Sequence, residues 1–461
     1  MKDAAMPSPE GTAFSLSHAQ RGLWLLKLLD DTGTEQNLPM WTDLGPGTNR
    51  ERTEFALNFL IARHDALRLV FSTGPDGPRQ SILPHYRFEL PLSDLTSYAD
   101  PAEEFDRQVR ADNAKPFDFS RPLLRGCLFK LADDQFRLYL NVHHLISDGL
   151  SNAIVQRELI ALVDMLDKGA PPDLPALPTS YESHVREEPA WLASPEGAAS
   201  AAYWRAELHP PLPRLRLADG GRPATSPGGT AFASMTFHLD AETTAAARAA
   251  ARGVRVTVNT LFMSAYAVAL TQLTGDDDLI IGVPFSGRHS MELMELVGLF
   301  ANMVAVRADL SGAVTFADAT ALVNEKSLRA YEHSRYPFDL AVELANPRRD
   351  GGRNPTFLTI FQVAAFLPPE HMAPQVDVGF YGKPDADRFA FRVNYDTGRL
   401  TPERAAALAA AFRTVVARVT ADPSVPLAEL RPAAPAVSQA AVTRGSRLQR
   451  LIDARHRARE E

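Results

Sequence analysis

Within residues 136–166 the apolar side chains change from a period of two to a period near 3.6. Residues 136–144 alternate, with apolar side chains on one face of an extended chain and mostly polar ones on the other. From residue 150 to residue 166 the apolar positions instead follow helical spacing, and Gly169 and Pro171 end the helix. A strand that leads directly into a helix is typical of a mixed fold. We therefore expect an α+β fold class.

The link between this strand and this helix reads HHLISDG, residues 143–149. Strand alternation puts His144 in phase with the apolar stripe and His143 on the opposite face, so the two imidazoles should have different roles. An unperturbed imidazole has a pKa of about 6.5 and can accept a proton at neutral pH. Asp148 can cap the following helix and pair with an arginine. The N–H of Gly149, at the start of a helix, could stabilise an oxyanion.

These residues alone leave three explanations open. A structural pair of histidines is the most common one. A catalytic site is the second, with His144 at the end of a strand where a substrate in an apolar channel could reach it. A metal site is the weakest, because neither an HExxH sequence nor a third well-spaced ligand accompanies the pair.

Composition restricts the partners and the compartment. With 461 residues, of which 45% are hydrophobic, the chain can bury at least one large core, and two lobes fit its length. A net charge of -8 argues against nucleic-acid binding, which requires a clustered basic surface. The single cysteine, Cys127, excludes a disulfide framework and is expected to be a buried structural thiol. The N-terminus has no apolar signal region, and polar residues interrupt the apolar segment 256–273, so we expect no membrane association and a cytoplasmic location.

Two proline-rich stretches, residues 169–178 and 209–229, are predicted connections, and the helical segment 181–208 between them could join two lobes. The second half also mixes strands and helices. Strands are predicted at residues 278–283, 302–306, 357–364 and 389–395, and helices at 314–331 and 402–420, the last one capped by Thr401.

The sequence HHLISDG resembles the HHxxxDG signature of nonribosomal peptide synthetase condensation domains, in the chloramphenicol-acetyltransferase-like superfamily. Further segments resemble the other motifs of that family, in the expected order. They are SLSHAQRGLWLL (15–26), RHDALRLVF (63–71), YESHVREE (181–188), IGVPFSGR (281–288), VGLFANMVAVR (297–307), YPFDLAVE (336–343) and GRNPTF (352–357). An ordered set of this kind is far more specific than one heptapeptide.

The resemblance implies two chloramphenicol-acetyltransferase-like lobes in a V arrangement, with a central substrate tunnel. Residues 14–178 would form the N-terminal lobe and residues 179–432 the C-terminal lobe with its linker helix and bridging segments. The resemblance also implies catalytic roles for His144, His143 and Gly149. Asp148 would be structural at the active site, and Arg288 is the first choice for its ion-pair partner.

In such enzymes the acyl donor arrives as a thioester on the phosphopantetheine arm of an acyl or peptidyl carrier protein. The resemblance implies no intrinsic cofactor and an amine or hydroxyl acceptor, which could be carrier-bound or a free small molecule. The product would be an amide or ester in nonribosomal peptide or hybrid polyketide biosynthesis. The chain lacks the Dx4D sequence of cyclisation domains and the EGHGR segment of epimerisation domains. It also lacks carrier and adenylation signatures, so we expect a free-standing enzyme that meets its carriers in trans.

Two alternatives share the HHxxxDG signature. A wax-ester or diacylglycerol acyltransferase would use acyl-CoA and a lipid alcohol, but SHAQRGLW and RHDALR favour condensation. A catalytically inactive platform that recruits other proteins is the second alternative, and the intact His143, His144, Asp148 and Gly149 count against it.

The C-terminal segment 433–461 has a different composition from the rest of the chain. It is locally basic on an acidic protein, and Leu448, Leu451 and Ile452 form a narrow apolar stripe. A disordered end and a docking helix for an acidic carrier both agree with this pattern. Residues 1–13 are expected to be a flexible N-terminus.

Overall fold

The computed structural model of the protein describes residues 13–29, 33–75, 77–213, 215–217, 232–346, 356–364 and 376–430. Four predicted features lie wholly or largely outside the described residues: the N-terminal segment, the 433–461 tail, residues 218–229 of the second proline-rich stretch, and residues 352–355 of the last motif.

The first half of the chain contains the strand and helix that the change of period predicts. Its elements are β1 (Phe14–Ser15), α1 (His18–Leu29), β2 (Asn37–Leu44), α2 (Arg50–Arg63), β3 (Leu69–Gly74), β4 (Gly77–Ile82), β5 (Leu92–Asp94), α3 (Pro101–Asn113), β6 (Leu124–Ala132), β7 (Gln135–His143) and α4 (Gly149–Asp167). The predicted strand 136–144 ends one residue early, because His144 begins a short 3-10 helix, His144–Ile146.

The second half begins with the predicted linker, which is two helices rather than one. Ser194 caps the second of them, and Pro195 occupies its first turn, so the chain stops and restarts its helical hydrogen bonding there. The elements are α5 (Tyr181–Leu192), α6 (Pro195–Glu207), β8 (Phe232–Leu239), α7 (Ala241–Gly253), α8 (Val258–Thr274), β9 (Asp278–Phe285), β10 (Asn302–Asp309), α9 (Phe316–Glu332), α10 (Phe338–Ala345), β11 (Thr359–Val363), β12 (Val378–Asp385), β13 (Arg388–Asp396), α11 (Pro402–Ala421) and α12 (Leu427–Leu430).

Within the described ranges the strands form three sheets. The first half has a four-stranded sheet of order β2-β7-β6-β5 and a three-stranded sheet of order β1-β4-β3. The second half has a six-stranded sheet of order β10-β9-β11-β12-β13-β8. β7 is an inner strand that pairs antiparallel with β2 and β6, so its carboxyl end, where the two histidines lie, is fixed from both sides.

Among the residues that the structure describes, two large hydrophobic cores correspond to the two halves of the chain. Each buried Leu, Ile, Val or Phe side chain contributes about 1.5–3 kcal/mol to folding, so each core is a large source of stability. Six buried residues of the second half nevertheless pack into the first core: Tyr181 and Val185 of α5, and Leu293, Leu296, Val297 and Phe300 after β9. The segment that follows β9 therefore crosses to the first half, while the predicted lobe boundary at residues 178 and 179 stays a prediction.

Cys127 lies on β6 and is half-buried rather than fully buried. Burial raises the pKa of its thiol to about 11, which keeps the sulfur protonated at neutral pH. Within the described ranges, no single helix is long and apolar enough to cross a membrane. Helices α7 and α8 together have the length and the apolar composition of a membrane span, but the chain bends by 99° between them.

Candidate active site

His144 lies at the point where β7 gives way to the 3-10 turn. Its backbone N–H donates to the carbonyl of Gln36, 2.9 Å away, beside the start of β2. Its ring is half-buried, and Nδ1 lies 2.8 Å from the carbonyl oxygen of Ser147. A carbonyl can only accept, so Nδ1 must carry the hydrogen. In the neutral ring Nε2 is therefore the acceptor, and no residue in the described part of the chain hydrogen bonds to it.

The 3-10 turn that carries His144 is held from the opposite side by α1. Gln20 is buried there, and its side-chain amide donates to the carbonyl of Leu145 at 3.0 Å. The same amide group bonds to Gln80 of β4, so the turn is tied to the three-stranded sheet. Gln20 belongs to the first family-like motif, which sequence reasoning quoted without assigning it a role.

His143 occupies a different environment from His144. Its side chain is only 1% exposed, and Nδ1 accepts a hydrogen bond from the N–H of Leu145 at 3.1 Å. Its ring makes edge contacts with Phe117 and Phe119, at centroid distances of 5.9 and 5.0 Å. The structure therefore separates the two predicted catalytic histidines, one half-buried with an open acceptor nitrogen and the other packed among aromatic rings.

Asp148 caps α4 and uses both carboxylate oxygens. Oδ1 accepts from the N–H of Ser151 at 2.8 Å, and Oδ2 accepts from the N–H groups of Phe300 and Ala301 at 3.0 and 3.1 Å. The guanidinium of Arg288 lies 3.1 Å from Oδ2, and both side chains are almost completely buried. The structure thus brings together the two residues that were expected to pair. Because these donors come from both halves of the chain, the carboxylate of Asp148 holds the two halves together.

Arg288 is itself fully engaged. Its Nε donates to the carbonyl of Leu293, and Nη2 donates to the carbonyl of Leu296 and to the hydroxyl of Ser151, at 2.8–3.1 Å. The guanidinium also lies over the ring of Phe300, 4.3 Å from its centroid. These hydrogen bonds hold the segment 288–296, which follows β9, against the first turn of α4.

Sequence reasoning missed Ser151, which links the two halves. Its hydroxyl donates to the carbonyl of Gly298 at 2.7 Å and accepts from the N–H of the same residue at 3.0 Å. A Cβ on Gly298 would overlap the ring of Tyr181, and Gly287 adopts a left-handed φ of +67°. Gly287 and Gly298 were the sequence signal for this contact, because a backbone with a positive φ and a backbone that another residue approaches closely both favour glycine.

Gly149, the first residue of α4, follows the capping Asp148 directly and is half-buried. Its predicted role as an oxyanion donor stays a prediction. Among the described residues, no group of three or more His, Cys, Asp or Glu side chains is arranged to hold a metal ion.

A family model described as a condensation domain matches residues 11–440. The chain belongs to the condensation-domain family. It is 33% identical over 360 residues to a linear gramicidin synthase from Brevibacillus parabrevis, an alignment that covers 77% of this chain but only 5% of that relative. The chain thus spans a small part of the curated relative that it matches.

Two solved structures show the same fold. The starter condensation domain of rhizomide synthetase, in complex with C8-CoA and Leu-SNAC, aligns with a TM-score of 0.78 at 22% identity, covering 90% of this chain and 96% of that one. The X-domain from teicoplanin biosynthesis, in complex with OxyB, aligns with a TM-score of 0.77 at 24% identity, covering 92% and 97%. The two solved structures confirm the predicted fold class, and the match to the condensation-domain model confirms the predicted class of enzyme, a condensation-type acyltransferase. The V arrangement and the tunnel stay predictions.

Proposed function

We propose that the protein joins an acyl group, carried as a thioester on the phosphopantetheine arm of a carrier protein, to an amine or hydroxyl acceptor. The acceptor nitrogen or oxygen attacks the thioester carbonyl, a C–N or C–O bond forms, and the C–S bond breaks. The proton that leaves the acceptor ends on the departing thiol. The product is an amide or ester of the kind assembled in peptide and hybrid polyketide biosynthesis.

The observation that carries this proposal is the hydrogen bond from Nδ1 of His144 to the carbonyl of Ser147. It fixes the tautomer in which Nε2 can accept a proton, and it orients the ring. In our proposal Nε2 holds the acceptor during attack, takes its proton and returns it to the sulfur. The N–H of Gly149 is the proposed donor to the oxyanion of the tetrahedral intermediate.

We propose positioning roles for the remaining predicted site residues. His143 holds the turn through Leu145 and is packed against two phenylalanines, so a substrate cannot reach its ring without rearrangement of the core. Asp148 and Arg288 anchor the start of α4, where every oxygen of the carboxylate is already engaged. The catalytic role expected for His143 is therefore replaced in our proposal by a positioning role.

A reconstituted reaction tests the proposal. A carrier loaded with an acyl thioester is incubated with the protein and, one at a time, with amines and alcohols, and the carrier and products are followed by mass spectrometry. We expect a new amide or ester that depends on the protein, together with a free carrier thiol. An equal yield from acyl-CoA and a long-chain alcohol would favour the lipid-acyltransferase alternative and contradict the carrier requirement.

The teicoplanin X-domain, which was solved in complex with OxyB, has this fold and gives a specific form to the platform alternative. That alternative predicts no product from any donor and acceptor pair. It also predicts that the His144→Ala variant behaves as the unaltered protein in every assay, whereas our proposal predicts a large loss of product.

A further inference from the structure

Ser147 supplies the carbonyl that orients the ring of His144, so whatever fixes Ser147 also fixes that ring. The backbone holds Ser147 weakly, because its N–H lies 3.4 Å from the carbonyl of His144, at the long limit for a hydrogen bond. The side chain of Ser147 is buried, and its hydroxyl donates to Oδ1 of Asn152 at 2.6 Å. The hydroxyl is therefore held more firmly than the backbone N–H.

Asn152 lies near the start of α4, at a position that the surrounding contacts fix. Its backbone N–H donates to the carbonyl of Asp148 at 2.9 Å. The carboxylate of Asp148 is in turn held by the buried guanidinium of Arg288. The side chain of Asn152 is half-buried and extends from this fixed helix start. A side chain on a rigid element is well suited to orient a neighbouring turn.

The distances indicate which atom of Asn152 holds Ser147. A hydroxyl has one hydrogen to donate. The carbonyl of Asp148 lies 3.4 Å from the Ser147 Oγ, against 2.6 Å for Oδ1 of Asn152, so the amide oxygen is the better acceptor. The amide nitrogen of Asn152 then lies on the other side of the group. Within the described ranges, this nitrogen has no acceptor, so the bond to Ser147 is what orients the amide.

Ser147 thus connects two half-buried side chains: its carbonyl accepts from His144, and its hydroxyl donates to Asn152. We propose that Asn152 is a positioning residue for His144 and acts through Ser147. It holds Ser147 so that the carbonyl keeps the imidazole in the tautomer whose Nε2 is the acceptor. This inference rests on the proposed function for the role of Nε2, and it adds a residue that lies outside the HHxxxDG motif.

Nitrogen-15 NMR of the full-length protein, labelled at histidine, tests the inference without turnover. At about pH 8 an unperturbed imidazole is neutral. The chain has 12 histidines, so the His144 signals are assigned by their loss in His144→Ala. In the unaltered protein we expect one His144 nitrogen with the chemical shift of a protonated nitrogen and the other with that of an unprotonated one. Asn152→Ala should bring the two shifts closer together, because a looser turn lets the ring exchange between its tautomers. An unchanged separation in the folded variant would overturn the inference.

Steady-state acyl transfer from a loaded carrier measures the consequence for the reaction. Loss of one neutral hydrogen bond corresponds to a change of about 3- to 10-fold, so Asn152→Ala should lower kcat by this factor and leave KM unchanged. Alanine is a better helix former than asparagine, so the variant should fold. Ser147→Ala, which keeps the carbonyl and removes the hydroxyl, should cause a similar loss, and the double variant should lose no more. Additive losses would contradict the inference, since the two side chains would then act separately.

A conservative variant and a matched control complete the test. Asn152→Asp keeps the oxygen that accepts from Ser147 and removes the amide nitrogen, so it should keep kcat within about twofold of the unaltered value. An Asn152→Asp variant as slow as Asn152→Ala would overturn the inference. Gln156→Ala is the control, because Gln156 is also half-buried on α4 but donates to the carbonyl of Trp41 and not to the turn of His144. It should keep the full kcat.

The two measurements separate this inference from the proposed function. If Asn152→Ala moves the nitrogen shifts of His144 but no pair of donor and acceptor gives a product, the positioning role stands and the condensation function fails. If the unaltered protein forms a product and Asn152→Ala leaves both the shifts and kcat unchanged, the condensation function stands and the positioning role fails.

Discussion

Removal of the Asp148 carboxylate should strongly destabilise the protein. Asp148→Ala leaves the Arg288 guanidinium, which is fully buried, without its counter-charge. It also leaves the N–H groups of Ser151, Phe300 and Ala301 without their acceptor. Loss of one partner from a buried ion pair costs about 3–5 kcal/mol, and the lost helix cap is part of that cost. We expect a decrease of about this size in the free energy of unfolding.

The assay is urea unfolding of purified variants, followed by tryptophan fluorescence. Arg288→Ala should cost a similar amount, and the double variant should be no worse than either single one, because the two side chains form one unit. Asp43→Ala is the matched control, since Asp43 makes an ion pair with Arg137 at 2.6 Å but is 62% exposed. Such a surface pair contributes at most about 1 kcal/mol. Additive losses at Asp148 and Arg288, or a loss at Asp148 no larger than the control, would refute the reasoning.

Three further predictions concern glycine geometry, pH and the C-terminal tail. Gly287→Ala should lower both the melting temperature and activity, because its Cβ would overlap the carbonyl of Phe300, whereas Gly275→Ala, with a similar positive φ but open space, should cost only about 1 kcal/mol. Burial lowers the pKa of His184 to about 4, so the folded state binds fewer protons there than the unfolded state between pH 6.5 and 4. That part of the stability, up to about 3 kcal/mol, should be lost as the pH falls through this window, and His184→Phe should flatten the urea-unfolding profile there. Truncation after Pro432 should raise KM for a carrier-bound substrate and spare kcat, with a defect that shrinks at high salt, and unchanged carrier kinetics would leave the tail without a docking role.

Local signals in the sequence predicted the elements around the site well. β7 and α4 follow from a change of period that needs no tertiary information, and Thr401 with Pro402 marked the start of α11 correctly. The break between α5 and α6 was missed, although Ser194 and Pro195 form an ordinary helix start. These two capping residues were the available signal for the break.

The site depends on contacts that periodicity cannot report. The cap by Asp148 is local and was predicted, while the choice of Arg288 came from a family resemblance. Ser151 bonds to Gly298, 147 positions away, and no spacing rule connects the two. The tautomer of His144 depends on a carbonyl three residues ahead, in a turn that strand alternation does not describe. The contacts of Asp148 with Arg288 and of Ser151 with Gly298 follow from the packing of one half of the chain against the other, whereas the tautomer of His144 follows from a local turn.

The central claim is that Nε2 of His144 handles the proton of the acceptor. A single-turnover measurement of acyl transfer from a loaded carrier, on His144→Ala beside the unaltered protein, tests it most directly. We predict a rate lower by about 10² to 10⁴, with an unchanged melting temperature because the half-buried ring contributes little packing. His85→Ala, at an exposed histidine of the same half, should keep the full rate. A folded His144→Ala variant that transfers the acyl group within about threefold of the unaltered rate would contradict this claim.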